Sequence, residues 1–148
     1  MTFHGGCAAR NGEGVMLLGP PGSGKSDLLL RLLGHGWTLV ADDQVEVVAH
    51  GGSGLVACAP PALSGLLEVR GVGIRKDVPV TPQVPLRLVV RLVPRADVPR
   101  LPDAAAWTHA GHALPVLALD PFAASAPDKL ALALDVVLGK ARLASGFG

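Results

Sequence analysis

Charge is sparse and nearly balanced in this sequence: 13 lysines and arginines against 12 aspartates and glutamates leave a formal net charge of +1 over 148 residues. Nucleic acids and anionic membranes select strongly basic surfaces, so neither is expected as a partner. Recognition must instead rest on local shape and local charge. Cysteine is scarce too. With only Cys7 and Cys58, a disulfide framework and a cysteine-rich metal cluster are both excluded, and the pair fits reduced thiols in a cytoplasm. No apolar run is long enough to span a bilayer, and Thr2, His4 and Arg10 interrupt any signal-peptide core. Repeats and low-complexity tracts are absent as well. The expectation is one cytoplasmic domain over residues 1–148, long enough to bury a core unaided.

Local signals order the chain. Asn11-Gly12 is a two-residue hairpin signal joining a strand at Thr2 to Ala9 with one at Gly14 to Leu18, which returns His4 to the neighbourhood of the second strand. The segment SDLLLRLLG carries leucines on most faces and stops at Gly34 and Gly36, as a largely buried helix does. WTLVA reads as a strand, and QVEVVA, HGGSG and LVACA read as a second hairpin. PLRLVVRLV is a further strand with Arg87 and Arg91 on one face. Residues 94–113, with several prolines and Trp107, read as a loop-rich excursion. After LPVLAL, Ser125 to Asp128 reads as the cap and acidic first turn of a C-terminal helix. The fold class is α/β, a mixed sheet with flanking helices.

Gly19-Pro20-Pro21-Gly22-Ser23-Gly24-Lys25-Ser26 matches G-x-x-x-x-G-K-[ST], with an apolar strand before it and a helix after it. In that context the backbone N–H groups and the helix N-terminus attract phosphate. Lys25 neutralises the outer phosphates and the Ser26 hydroxyl can hold Mg²⁺. The helix from Lys25 travels about 15 Å outward at about 1.5 Å per residue, and WTLVA returns a similar distance at about 3.3 Å per residue. A right-handed crossover then sets Asp42 and Asp43 at the carboxyl end of a neighbouring parallel strand, beside the phosphates. Two adjacent aspartates at a strand end face opposite sides, one able to serve the metal and the other to accept a hydroxyl proton. The simpler alternative for the pair is that it only ends a strand.

One further stretch stands out. LLEVRGVGI places Glu68 and Arg70 in an apolar run. Beside a phosphate loop, Glu68 offers a hard oxygen to Mg²⁺. Arg70, one strand step further on the same side, can hold that carboxylate or reach a phosphate. A purely structural Glu68–Arg70 pair is the alternative. Arg70, Gly71 and Gly73 also open a segment that, with Arg75 and Lys76, suits contact with a protein substrate, the alternative for Arg75 and Lys76 being a solvated turn.

The order MTFHGG, GPPGSGKS, LVADDQV and APPALSGLLEVRGVGI resembles the catalytic domain of HPr kinase/phosphorylase, which phosphorylates a serine of HPr, the phosphocarrier of the sugar phosphotransferase system. The likeness is close from His4 to about Ile74 and looser beyond. It implies an HPr kinase / PEP carboxykinase-like P-loop fold, in a short form without the separate N-terminal domain of long members, and a homo-oligomer, usually a hexamer. By the same resemblance Gly19 to Ser26 is the ATP phosphate site, Lys25 is also catalytic, and Ser26 and Glu68 are Mg²⁺ ligands. Asp43 is the proton acceptor with Asp42 beside it, and His4 is the active-site histidine. Arg100 stands where the family has a catalytic arginine, at a shorter spacing from the preceding strand. One departure concerns the reverse reaction: the family carries a glycine-arginine-asparagine stretch where this chain reads LPVLALDPFAASAP, without arginine. Kinase activity toward HPr or its nitrogen-related paralogue is therefore better supported than phosphorolysis. The alternatives are a small-molecule P-loop kinase and a nucleotide-gated regulatory module.

Overall fold

The computed structural model describes residues 1–148 as a mixed sheet with two helices against it. Its strands are β1 (Thr2–Arg10), β2 (Glu13–Leu18), β3 (Thr38–Ala41), β4 (Gln44–Ala49), β5 (Leu55–Cys58), β8 (Gln83–Leu92), β9 (Ala106–His109) and β10 (His112–Leu119), and β6 (Leu67–Val69) and β7 (Gly73–Arg75) make a separate small hairpin. The helices are α1 (Lys25–Leu33) and α2 (Ala126–Val137).

The first hairpin forms as its turn chemistry dictates. Asn11 and Gly12 both take positive φ, 53° and 78°, which suits the right-handed twist of the flanking strands, and the register runs from Arg10↔Glu13 to Gly5↔Leu18. Strand β1 then serves three neighbours. It is antiparallel to β2, to β3 through Cys7–Ala9, and to β4 through Thr2–His4. Because β8 pairs both with β5 and in parallel with β2, the path β2-β1-β4-β5-β8 closes on itself.

Closure divides the core in two. Alternation along β2 sends Val15 and Leu17 to one face and Met16 to the other. Val15, Leu17, Leu88 and Val90 pack with Leu28, Leu29 and Leu32 of α1 and Leu130 and Leu134 of α2. Inside the ring, Cys7, Met16, Val45, Ala57, Val89 and Trp107 form the second cluster. Burial pushes the Cys7 thiol up to about 12, so it stays protonated and acts as a small hydrophobe.

Three expectations need correcting. The carboxyl ends of β2 and β3 do point to one edge of the sheet, but the two strands are not neighbours: β1 lies between them, antiparallel to both. Residues 94–113 are not loop throughout. Strands β9 and β10 form a hairpin across Ala110-Gly111, whose φ angles are 48° and 79°, and Trp107 is buried in it. Ser125 occupies the N-cap of α2 but its side chain makes no capping bond, leaving Asp128 in the first turn to face the helix dipole.

Gly5 and Gly6 matter because the sheet passes close to them. A Cβ on Gly5 would lie 2.5 Å from the carbonyl oxygen of Leu17, and one on Gly6 would lie 2.8 Å from Leu29 Cδ1. The Leu17 carbonyl belongs to the strand that carries the phosphate loop and cannot yield without moving it. Gly5→Ala is therefore expected to destabilise the fold by about 1–3 kcal/mol, the usual cost of overpacking, measurable by urea denaturation.

Candidate functional site

Strands β2, β8 and β10 are parallel, and β3 runs the same way because both it and β2 oppose β1. Their carboxyl ends share one edge, the place where open α/β sheets bind ligands. The loop Gly19 to Ser26 leaves β2 at this edge and feeds α1. Gly24, at the N-cap, has φ 96°, and no side chain caps the helix, so its N-terminal N–H groups remain available to an anion. Ser23 Oγ is buried without a hydrogen-bond partner, an unmet polar group inside the loop.

Lys25 folds back on the loop, donating from Nζ to the carbonyls of Gly19 (2.6 Å) and Pro20 (3.0 Å). Partial burial lowers its pKa, while the nearby charges of Asp43 and Asp42 work in the opposite direction. Both aspartates are thus close enough to act on the lysine electrostatically.

The aspartates differ sharply. Asp42 is buried, and its carboxylate joins two elements: Ser26 donates from Oγ to Oδ1 at 2.7 Å, and the Glu68 backbone N–H donates to Oδ2 at 2.9 Å. This ties the start of α1 to the β6–β7 hairpin. Asp43 instead has a side chain 65 % exposed and a φ of 69°. Its own carbonyl accepts from Gly5 N–H (3.0 Å), and Gln44 N–H closes a three-residue turn onto the Asp42 carbonyl (2.8 Å). A turn with positive φ at a non-glycine centre is strained, and aspartate is among the residues that tolerate it. One carboxylate is thus held inside the fold and the other left to solvent.

His4, at the end of its pairing with β4, brings Nδ1 to 3.8 Å from Asp43 Oδ1. That is too long for a hydrogen bond and too exposed for a strong ion pair, so the two groups are neighbours without a directional contact. Glu68 lies on β6, exposed, opposite Ile74.

Arg70 falls outside the expected pairing with Glu68. Strand β6 ends at Val69 and Arg70 opens the turn, so it is not one strand step further on, and it forms no ion pair. Gly71, Gly73, Arg75 and Lys76 form an exposed tip together with Val72, 85 % exposed, and Ile74, 70 % exposed. Arg100 lies in the segment after β8, lines a cavity beyond the phosphate loop, and has no ion-pair partner. Sequence reasoning missed the Ser26–Asp42–Glu68 link, since one of its donors is a backbone N–H whose position depends on a distant hairpin.

Comparison with known proteins bears on the family and the fold. Residues 1–96 match the family model for the HPr Serine kinase C-terminal domain. The HPr kinase/phosphorylase of Cupriavidus metallidurans is 41% identical over 103 residues, covering 66% of this chain and 32% of that protein. That of Burkholderia cenocepacia is 41% identical over 102 residues, covering 65% and 32%. The chain thus matches about a third of the length of these curated relatives. Among solved structures, the Hpr(Ser) kinase/phosphatase from Coxiella burnetii superposes with a TM-score of 0.75 at 25% identity, covering 94% of this chain and 88% of that one.

Proposed function

Since the chain belongs to the HPr serine kinase C-terminal domain family, we propose that it transfers the γ-phosphoryl group of ATP to a serine hydroxyl of an HPr-type phosphocarrier. The observation that carries this reading is the arrangement at the sheet edge. A phosphate loop is tied through Ser26 and Asp42 to the Glu68 strand, with Asp43 exposed beside it.

Each residue has a distinct task. The loop N–H groups and Lys25, exchanging the Gly19 and Pro20 carbonyls for phosphate oxygens, bind and neutralise the nucleotide. Asp43 orients the serine hydroxyl and takes its proton, with His4 Nδ1 standing 3.8 Å from its carboxylate. Asp42 positions Ser26 and Glu68. Those two oxygen donors suit Mg²⁺, which takes most of its ligands from phosphates and water, so a set of three protein ligands is not required. When bound, Mg²⁺ would offset the charge that develops on the transferred phosphoryl. The exposed Gly71 to Lys76 tip is the surface offered to the protein substrate. Arg100 makes no bond with this cluster, and the transfer step is assigned without it.

Forward transfer is favoured over phosphorolysis because the LPVLALDPFAASAP segment lacks the arginine that the resemblance leads one to expect for the reverse reaction. Incubation with ATP, Mg²⁺ and an HPr-type protein tests the reading. Phosphoserine on the carrier supports it, whereas ATP binding without transfer returns the regulatory-module alternative.

A further inference from the structure

Phe122 is the one phenylalanine or tryptophan that stands exposed, at 68 %. Trp37, Trp107 and Phe147 are buried, and Phe3 packs edge-on against Trp107. Phe122 lies in the turn after β10, at the sheet edge shared with the phosphate loop. Its ring borders the loop directly: a Cβ on Gly24 would meet Phe122 Cζ at 3.0 Å.

The turn that presents this ring is fastened. Arg31, on α1, donates to the carbonyls of both Pro121 and Ala123, and the Phe122 N–H donates to Asp120 Oδ1 at 3.0 Å. The same helix thus begins in the phosphate loop and, two turns later, holds the turn that carries the aromatic. Phe122 also borders a cavity of about 980 Å³ between the segments that follow β8 and β10 and the face of α2, lined by Leu101, Arg100, Asp120 and Lys129 among others. That volume is at the upper end of the range for small-molecule sites, roughly 300–1,000 Å³.

We infer that Phe122 is the stacking platform for the purine base of the bound nucleotide, with the base entering the cavity beside it. This rests on the nucleotide site proposed above and adds a subsite lying outside the segment that matches the family model. Three features support it. A nucleotide whose phosphates lie on the Gly19 to Ser26 loop must place its base at the carboxyl edge of the sheet, in the crevice beside that loop. The backbone turn that carries the ring is held before binding, so little main-chain entropy is lost in stacking. An aromatic face takes a base without needing hydrogen-bond readout.

The test is binding of ATP and of tripolyphosphate, each with Mg²⁺, measured by calorimetry on wild type, Phe122→Ala and Phe122→Trp. Phe122→Ala is expected to weaken ATP roughly tenfold, within the range seen when a stacking aromatic is removed. Phe122→Trp should bind ATP within twofold of wild type, and tripolyphosphate should bind alike to all three. The inference is overturned if Phe122→Ala binds ATP as wild type does. A parallel loss of tripolyphosphate binding also overturns it, because the ring would then be shaping the loop around Gly24. Wild type that binds neither ligand would remove the nucleotide site itself, and the base subsite with it.

Discussion

Asp43→Asn is expected to lower phosphoryl transfer by roughly 10²–10⁴-fold, the usual contribution of a positioned general base, while leaving ATP affinity within about twofold. The fold should survive the change. The bonds that set the Asp43 turn use main-chain atoms, namely its carbonyl to Gly5 N–H and Gln44 N–H to the Asp42 carbonyl. Asparagine accepts a φ of 69° as readily as aspartate. Only the carboxylate is lost. A second consequence follows from charge. Asp43 is the first of the two charges that raise the Lys25 pKa against burial, so its neutralisation lets that pKa fall further. The alkaline loss of ATP binding should then move to lower pH in the variant. Transfer rates by quenched flow and ATP titrations across pH check both points. Transfer at the wild-type rate would remove Asp43 from its assigned role.

Asp42→Ala should act by another route and affect folding as well as function. Its carboxylate accepts two hydrogen bonds from groups far apart in sequence, Ser26 Oγ and the Glu68 N–H, in a position only 7% exposed. Bonds to a charged acceptor contribute about 1.5–3 kcal/mol each, and truncation also strands the donors. Allowing for water entering the gap, a loss of about 2–4 kcal/mol is expected, which for a chain of this size lowers the melting temperature by roughly 6–12 °C. Mg²⁺-dependent ATP binding should weaken in parallel as Ser26 and Glu68 lose their common anchor. Asp42→Asn should be milder, because the amide can accept from Glu68 N–H and donate to Ser26 Oγ. Thermal melts with and without ATP and Mg²⁺ separate the two variants. An Asp42→Ala protein as stable as wild type would mean that the link contributes nothing.

Where local chemistry decides the structure, the sequence is readable. Asn11-Gly12 announces the first hairpin, because few other pairs take two consecutive positive φ values cheaply. The phosphate loop is recognisable because its glycines and lysine are consecutive and flanked by a strand and a helix. Asp42 could be placed at the sheet edge beside it from helix and strand lengths and a crossover, although the strand that ends at the aspartates is not the neighbour of β2.

Long-range pairing was not legible. Nothing in residues 2–10 says that this strand inserts between β2 and β3, since strand neighbours are chosen by packing across the whole sheet. The β9–β10 hairpin was obscured by the prolines before it and by a turn centred on Ala110, which takes a positive φ of 48° without being a usual turn residue. Arg70 lies one position past the end of β6. The strand stops at Val69, and an alternation argument fails once the strand ends. The clasp between Ser26, Asp42 and Glu68 lies beyond any motif, because the strand supplies a backbone N–H that every residue type carries.

The most direct measurement mixes the protein with ATP, Mg²⁺ and purified HPr-type carrier and follows the carrier by intact mass and fragment mapping, with Asp43→Asn in parallel. The expected result is a mass increase of one phosphate on a serine of the carrier with wild type, and none with the variant over the same time. A carrier that stays unmodified while wild type binds ATP would contradict the kinase reading, as would phosphate appearing equally with both proteins.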